Sequence, residues 1–344
     1  MKPDSPVLIS IIIVNWNTRD LLAACLHSVA AASVITGDPS LSEQHTLIDG
    51  TTAQCIVAPH APVQAAPNLP RVEVLVVDNA SSDGSAEMVR AEFPWVRLIT
   101  NQSNVGFARA NNQAIRICAG RYVLLLNSDT VVHHAALAAL VEFMDAQPTV
   151  GAAGALLLNP DGTLQPSCSP FPTLLREAWR MFALDRVVPI ATYQMTRWDG
   201  ATPRAVDVLL GACMNMRRES LDQVGLLDET YFMYSEEVDL CLRIKRAGWQ
   251  IFWVPQAHIT HYGGQSSKQA AKKMFLHLYQ SKTLYFRKHH GRHAARLYKG
   301  ILVAAALLRL VSSPLILLES REQQQVHWSL AKNYWALLRC LPSF

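Results

Sequence analysis

Charged residues are scarce. They make up 17% of the 344 residues, while half of the chain is hydrophobic. That balance excludes a solvated, disordered polymer and leaves ample material for a buried core. The seven cysteines (25, 55, 118, 168, 213, 241 and 340) are scattered, odd in number and without Cys-x-x-Cys spacing. They read as buried thiols of a reducing compartment, not as a disulfide frame or a zinc site. No repeat of solenoid period is present. The longest apolar stretch, residues 301–318, falls short of the roughly 20 residues of a spanning helix and is broken by Arg309, Ser312, Ser313 and Pro314. The N-terminus lacks a basic region, a long apolar run and a small-residue cleavage site, so no signal peptide is expected. Basic residues are not interleaved with a stacking platform, which argues against nucleic acid as a partner.

What the chain does have is a set of short apolar runs, each closed by polar residues. The clearest is Tyr122-Val123-Leu124-Leu125-Leu126, which leads into Asn127-Ser128-Asp129. An unbroken run of this length predicts a strand buried on both faces. The polar step then falls at its carboxyl end, where open α/β sheets bind ligands. A carboxylate and a neutral oxygen two residues apart suit one hard cation, so Asn127 and Asp129 are a candidate metal and diphosphate site. The plainer reading is a cap, with Asp129 or Thr130 starting a helix near residue 133.

Further strands are expected at residues 8–14, 72–77, 96–100, 152–158, 206–216 and 249–254. Helices are expected at 20–31, with Thr18 as cap, at 133–147 and at 171–184, and the segment 104–112 enters a further helix that runs to about residue 118. Another begins after Ser235, which reads as its cap. The alternation through the first 150 residues predicts βαβ units and a mostly parallel sheet. Residues 33–70 break the pattern and read as an insertion, mobile or folded over the surface. Asn159-Pro160-Asp161-Gly162 is a turn, and residues 258–266 read as a polar loop. The chain divides into an α/β part, 1–265, and a helical extension, 266–344.

Three further clusters have chemical potential. Asp78-Asn79 ends a strand, where a carboxylate can meet a base or ribose. Ser82-Asp83-Gly84 after it offers a helix start suited to an anion. Glu236, Glu237 and Asp239 either favour a helix N-terminus or supply a general base. Consecutive residues diverge on a helix, so at most one of the first two faces a cleft, with Asp239 as local support. His258 and His261 stand near Gly263 and Gly264, a pairing compatible with metal or phosphate.

Taken in order, six segments are familiar. Ser10-Ile-Ile-Ile-Val-Asn-Trp-Asn, Val76-Val-Asp-Asn-Ala-Ser-Ser-Asp-Gly-Ser, Asn104-Val-Gly-Phe-Ala-Arg-Ala-Asn-Asn, Leu126-Asn-Ser-Asp, Glu236-Glu-Val-Asp-Leu and His261-Tyr-Gly-Gly-Gln-Ser resemble the family 2 glycosyltransferases of GT-A fold. They look most like the bacterial rhamnosyltransferase-like branch, over roughly residues 7–290. The resemblance implies a nucleotide-sugar donor, a divalent metal (Mg²⁺ or Mn²⁺) and one inverting displacement. It places the donor at Asn15, Asp78, Asn104, Gly106, Asn127 and Asp129, and the metal at Asp129 and His261. Asn127 stands where the family's Asp-x-Asp begins. Glu237, or else Glu236, stands at the catalytic base, where the family usually has Asp. Gly211, Ala212 and Asp239 fall on the acceptor side. The expected role is transfer of a sugar, rhamnose being one candidate, to a lipid-linked or polysaccharide acceptor of the cell surface. Two other readings stand: a sugar-1-phosphate nucleotidyltransferase, against which the first strand lacks a glycine-rich basic signature, and a non-catalytic scaffold.

The net charge of +4 conceals an asymmetry. From residue 265 onward there are 13 Lys and Arg against 2 Asp and Glu, a net of +11, and the rest of the chain carries −7. Such a tail beside an apolar run predicts an interfacial helix on an anionic membrane, at the cytoplasmic face. A packed extension or an oligomer contact is the alternative.

Overall fold

The computed structural model describes residues 7–35, 45–46, 52–53, 70–312 and 321–344. The elements, in chain order, are β1 (Ile9–Asn15), α1 (Arg19–Ala31), β2 (Arg71–Asp78), α2 (Ser85–Glu92), β3 (Arg97–Thr100), α3 (Phe107–Ile117), β4 (Tyr122–Asn127), β5 (Thr130–Val132), α4 (Ala136–Ala146), β6 (Val150–Leu158), β7 (Leu164–Gln165) and α5 (Leu174–Met181). They continue with β8 (Cys213–Arg217), α6 (Arg218–Val224), α7 (Glu236–Arg246), β9 (Gln250–His261), α8 (Gln265–Lys268), α9 (Ala271–Ser312) and α10 (Arg321–Cys340).

One sheet organises the molecule. β1 lies parallel between β2 and β4, with Asn15 opposite Asp78 and Val14 opposite Asn127. The polar ends of three strands are thus brought side by side by backbone register alone. β8 runs antiparallel between β4 and β6, and β9 lies parallel to β6. The long pairings are parallel, giving a mixed α/β, GT-A-like sheet. β1 shows why the runs do not alternate: Ile9, Ile11 and Ile13 pack with α1 and α4, while Ile12 packs on the opposite face with α3 and α7. Burial on both faces removes the period-2 signal.

Several boundaries differ from expectation, each for a local reason. No cap forms at Asp129 or Thr130: residues 130–132 are β5, paired with β9, and the next helix starts at Ala136. Thr18 precedes α1 but does not cap it, because its hydroxyl turns inward to Asn15 Oδ1 at 2.6 Å and Ser128 Oγ at 2.9 Å. Ser235 does not cap α7 either, since it stands in the left-handed region at φ 68°. The strand expected at 206–216 is interrupted: Val208–Leu209 pairs with Cys168–Ser169, and β8 begins only at Cys213. Gly211 and Ala212 lie in the turn between. The loop expected at 258–266 starts four residues late, because β9 continues through His261. The helix expected at 171–184 shrinks to α5, capped by Thr173. The insertion expected at 33–70 lies mostly outside the described residues. The six described cysteines are free thiols, four of them buried.

The C-terminal helices pack back onto α5. α9 bends at Gly291 (φ 84°). Its Leu302, Ala305 and Ala306 are buried with Met181, Tyr334 and Leu337 in a third apolar cluster. The apolar run expected to lie on a membrane is therefore partly internal. Leu307, Leu308 and Val311 remain exposed, and residues 313–320 lie outside the described residues. Among the described residues, no helix is long and apolar enough to cross a membrane.

Candidate active site

The carboxyl ends of β1, β2 and β4 open onto a cleft. Trp16, Asn79, Asn104, Gly106, Asn127 and Asp129 line one part of it. Val14, Phe107, Ser128, Phe232, Met233, Met274, Gly264 and the start of α8 (265–267) close the rest. Of the residues expected at the donor, Asn104, Gly106, Asn127 and Asp129 are on this wall.

Asn15 and Asp78 sit just behind it, both almost fully buried. The Asn15 amide donates to Asp78 Oδ1 (3.2 Å) and to Ser81 Oγ (3.1 Å), and Ser81 N–H donates to Asp78 Oδ2 (3.0 Å). Asn79 binds the other side of the cleft together. Its Oδ1 accepts from Val105 N–H and Asn101 Nδ2, and its amide donates to Asn104 Oδ1. Gly106 is required by space as well as by conformation: at φ +88° a Cβ would lie 2.4 Å from the Phe232 carbonyl oxygen. That carbonyl accepts the Phe107 N–H at 2.7 Å, which locks the start of α3 to the segment before α7.

At the floor, Asp129 Oδ1 lies 3.2 Å from His261 Nε2, both side chains being nearly buried. Asp129 Oδ2 accepts the Gln265 N–H at 3.3 Å. Burial works to raise the Asp129 carboxyl, but the contact with His261 and the Gln265 N–H outweigh it and hold it below the ordinary value. His261 Nε2 also faces Asn127 Nδ2 at 3.2 Å. The second histidine goes elsewhere. Strand alternation turns His258 outward, where its ring meets His133. Among the described residues no group of three or more His, Cys, Asp and Glu side chains is gathered for a metal. The chain thus offers one carboxylate oxygen and one imidazole nitrogen. That donor set fits Mg²⁺ or Mn²⁺, whose remaining positions a diphosphate and water would fill.

Glu236 and Glu237 stand at the start of α7, below Phe232 and Met233. Both carboxylates carry a buried Oε2 without a hydrogen-bond partner. Burial, and then the neighbouring Glu237 charge, push the Glu236 carboxyl well above its ordinary value. Burial raises Glu237 too, against backbone N–H groups and the charge of Lys282. The Glu237 Cβ is 4.0 Å from where a Cβ on Gly211 would stand, and the same point is 3.6 Å from the Phe107 ring. Gly211 is thus a small residue between Glu237 and the cleft wall. The Ala212 carbonyl accepts the Asn127 N–H at 3.0 Å. Asp239 corrects the expectation of an acceptor-side role. It has no exposed surface and is held by Arg243 (2.7 Å), Lys288 (2.6 Å) and His289 (2.7 Å), facing α9.

Backbone strain concentrates around this cleft. Five described non-glycine residues have positive φ, and four of them, Asn17, Ala80, Tyr234 and Ser235, follow β1 and β2 or precede α7. Strained residues of this kind persist where the surroundings hold a functional geometry. Sequence reasoning missed the aromatic wall of Trp16, Phe107 and Phe232, and it missed Gln165, whose Oε1 is 2.6 Å from His261 Nδ1. The available signal for Gln165 was the Asn159–Gly162 turn, which returns the chain beside β6.

A GT-A-like sheet with a polar cleft at its carboxyl edge defines a nucleotide-sugar transferase fold. The chain matches the family described as "Glycosyltransferase like family 2" over residues 60–279, and it belongs to that family. It is 33% identical over 211 residues to N-acetylglucosaminyl-diphospho-decaprenol L-rhamnosyltransferase of Mycobacterium tuberculosis, covering 57% of this chain and 68% of that protein. It is 26% identical over 178 residues to rhamnosyltransferase WbbL of Escherichia coli, covering 49% and 66%. Among solved structures it resembles the mannosyltransferase PcManGT from Pyrobaculum calidifontis, in complex with GDP-Man and Mn²⁺, with TM-score 0.50 and 18% identity over 98% of this chain and 90% of that one. The chain is therefore a family 2 glycosyltransferase, similar in sequence to bacterial rhamnosyltransferases. Membership sets aside the nucleotidyltransferase reading.

Proposed function

We propose that this chain moves a sugar, rhamnose first among the candidates, from a nucleoside-diphosphate donor to a hydroxyl of a lipid-linked acceptor, inverting the anomeric carbon. The observation that carries the reading is the pair of buried, unpartnered Glu236 and Glu237 carboxylate oxygens, which follow the cleft-lining Phe232 and Met233 without lining the cleft themselves, together with cleft-lining Asp129 and its contact with His261. The two M. tuberculosis and E. coli relatives are named as rhamnosyltransferases, and the name of the first specifies a diphospho-lipid acceptor.

In this reading Asp78, oriented by Asn15, receives the nucleotide, and Asn104, Gly106 and Asn127 shape the path of the diphosphate. Asp129 and His261 would hold Mg²⁺ or Mn²⁺, which when bound offsets charge on the leaving diphosphate. Glu237 takes the proton of the acceptor hydroxyl, with Glu236 as the alternative base. A raised carboxyl suits that task, because a base works best with a pKa near the operating pH. Gly211 and Ala212 border the acceptor side. The division at residue 265 and placement on the inner face of the cell membrane belong to the same proposal. They are supported by the basic charge of the tail and by exposed Leu307, Leu308 and Val311.

A panel of nucleoside-diphosphate sugars, rhamnose donors among them, tests the reading. Metal-dependent release of nucleoside diphosphate on adding a lipid-diphosphate acceptor is expected. No release from any donor with any acceptor would reduce the chain to a non-catalytic scaffold.

A further inference from the structure

His261 is gripped from behind. Its Nδ1 lies 2.6 Å from Gln165 Oε1. The Gln165 amide cannot be turned the other way round without loss, because its Nε2 donates to the His261 carbonyl (3.1 Å) and to Asn159 Oδ1 (2.9 Å). Both of those atoms are acceptors only, so the nitrogen of the amide must face them and the oxygen must face the ring. An oxygen facing Nδ1 requires hydrogen on Nδ1. Asn159 is fixed in turn by the tight turn of residues 159–162, where its N–H donates to the Thr163 carbonyl and its Nδ2 to Thr163 Oγ1 (2.9 Å).

We propose that Gln165 is a positioning residue that holds His261 as its Nδ1–H tautomer, leaving the Nε2 lone pair for a divalent cation shared with Asp129 Oδ1. The inference rests on the cation reading of the Asp129–His261 pair and adds a residue that touches neither donor nor metal. Nε2 is 3.2 Å from Asp129 Oδ1 and 3.2 Å from Asn127 Nδ2. In the absence of metal, hydrogen on Nε2 would be donated to Asp129 Oδ1, so a bound cation takes the place of that hydrogen while Nδ1–H stays on Gln165 Oε1. With hydrogen on Nε2 instead, the ring would present a donor to the cation position. Metal-ligating histidines commonly donate their other N–H to a fixed acceptor, and loss of that acceptor weakens metal binding by about 10- to 100-fold. The turn of residues 159–162, at the far end of β6, becomes in this account the outermost support of the cleft floor.

The test is titration with Mn²⁺ alone, read by the paramagnetic resonance of free ion, on wild type and on Gln165→Leu, Gln165→Glu and His261→Ala. Gln165→Leu should bind Mn²⁺ about 10- to 100-fold more weakly. Gln165→Glu still accepts from Nδ1 but sets its second oxygen against the His261 carbonyl and Asn159 Oδ1, so its affinity should fall between those of wild type and Gln165→Leu. Long-range proton–nitrogen spectra of imidazole-labelled protein, assigned by the signal missing in His261→Ala, should show Nδ1–H in wild type and a mixture of tautomers in Gln165→Leu. A Gln165→Leu protein with wild-type affinity and an unchanged tautomer overturns the inference while leaving the metal reading intact, provided His261→Ala loses Mn²⁺. Wild type that takes up no Mn²⁺ overturns both. If Gln165→Leu does not fold, a wild-type spectrum without Nδ1–H is by itself sufficient to refute the proposal.

Discussion

The Asp239 carboxylate, without exposed surface, lies 2.6 Å from Lys288 Nζ, and this contact joins α7 to the long helix α9. Arg243 and His289 complete the cage. The first turn of α7 is thereby held from the side opposite the cleft. Burial alone would raise this carboxyl, but Lys288, Arg243 and His289 hold it below its ordinary value of 3.8. Asp239→Asn should destabilise the protein by about 1.5–3 kcal/mol, because it weakens charge-assisted hydrogen bonds to a buried carboxylate while Lys288 keeps Asp228 and Arg243 keeps the carbonyls of residues 224–226. Urea unfolding at neutral pH measures the loss. The pH dependence has a definite sign. A carboxyl whose folded pKa is depressed stabilises above its unfolded value, and that contribution disappears as pH falls through the folded value. The difference between wild type and Asp239→Asn should therefore narrow only below about pH 4.

Glu237 gives the sharpest catalytic expectation. Glu237→Gln should lower kcat by about 10²- to 10⁴-fold and leave donor affinity within a few-fold. Initial rates and calorimetric donor binding separate the two. Because burial raises both acids of the pair, and a base must be deprotonated, kcat/KM should fall on the acid side at a pH above the ordinary glutamate value of 4.5. An equal loss in Glu236→Gln and none in Glu237→Gln would move the base to the neighbour.

Asp129→Asn removes a charge from the cleft floor. Turnover should be abolished, and added Mn²⁺ should no longer raise the melting temperature in the presence of donor. Chelation of wild type should reproduce the loss of turnover, and excess Mg²⁺ or Mn²⁺ should restore it.

Gly106→Ala is a steric test of the donor side. The new Cβ would stand 2.4 Å from the Phe232 carbonyl oxygen, at φ +88°. The segment before α7 must shift, so KM for the donor should rise by about tenfold or more, the size of a 1.4 kcal/mol misfit. Thermal unfolding distinguishes this local change from global loss of the fold.

Membrane attachment calls for surface substitutions and not for removal of the tail, since Leu302, Ala305 and Ala306 belong to a buried cluster. Leu308→Ser with Val311→Ser changes residues that are 56% and 77% exposed. Flotation with anionic vesicles should fall several-fold, and catalysis on a water-soluble acceptor should persist. Undiminished flotation would place the contact elsewhere.

Much of this molecule is legible in its residues. Apolar runs closed by Asn15, Asp78 and Asn127 announce strands with polar carboxyl ends, because an unbroken buried run needs a sheet with both faces covered. The order of the six motifs identifies the family and with it the class of chemistry. Less legible are features that depend on which way a side chain turns. Ser235 has the composition of a cap, yet left-handed backbone carries it away from that task. His258 and His261 look alike in the chain, and only the pleat of β9 separates the outward ring from the inward one.

The chain by itself determined where strands end and which oxygens and carboxylates cluster there, since hydrophobic runs and short motifs are local properties. Tertiary structure decided which of those groups face one another. Asp129 meets His261 across 132 positions of sequence, and Gln165 reaches that histidine only through the pairing of β6 with β7 and β9. Contacts between segments so far apart come from strand register and burial, which no local pattern encodes.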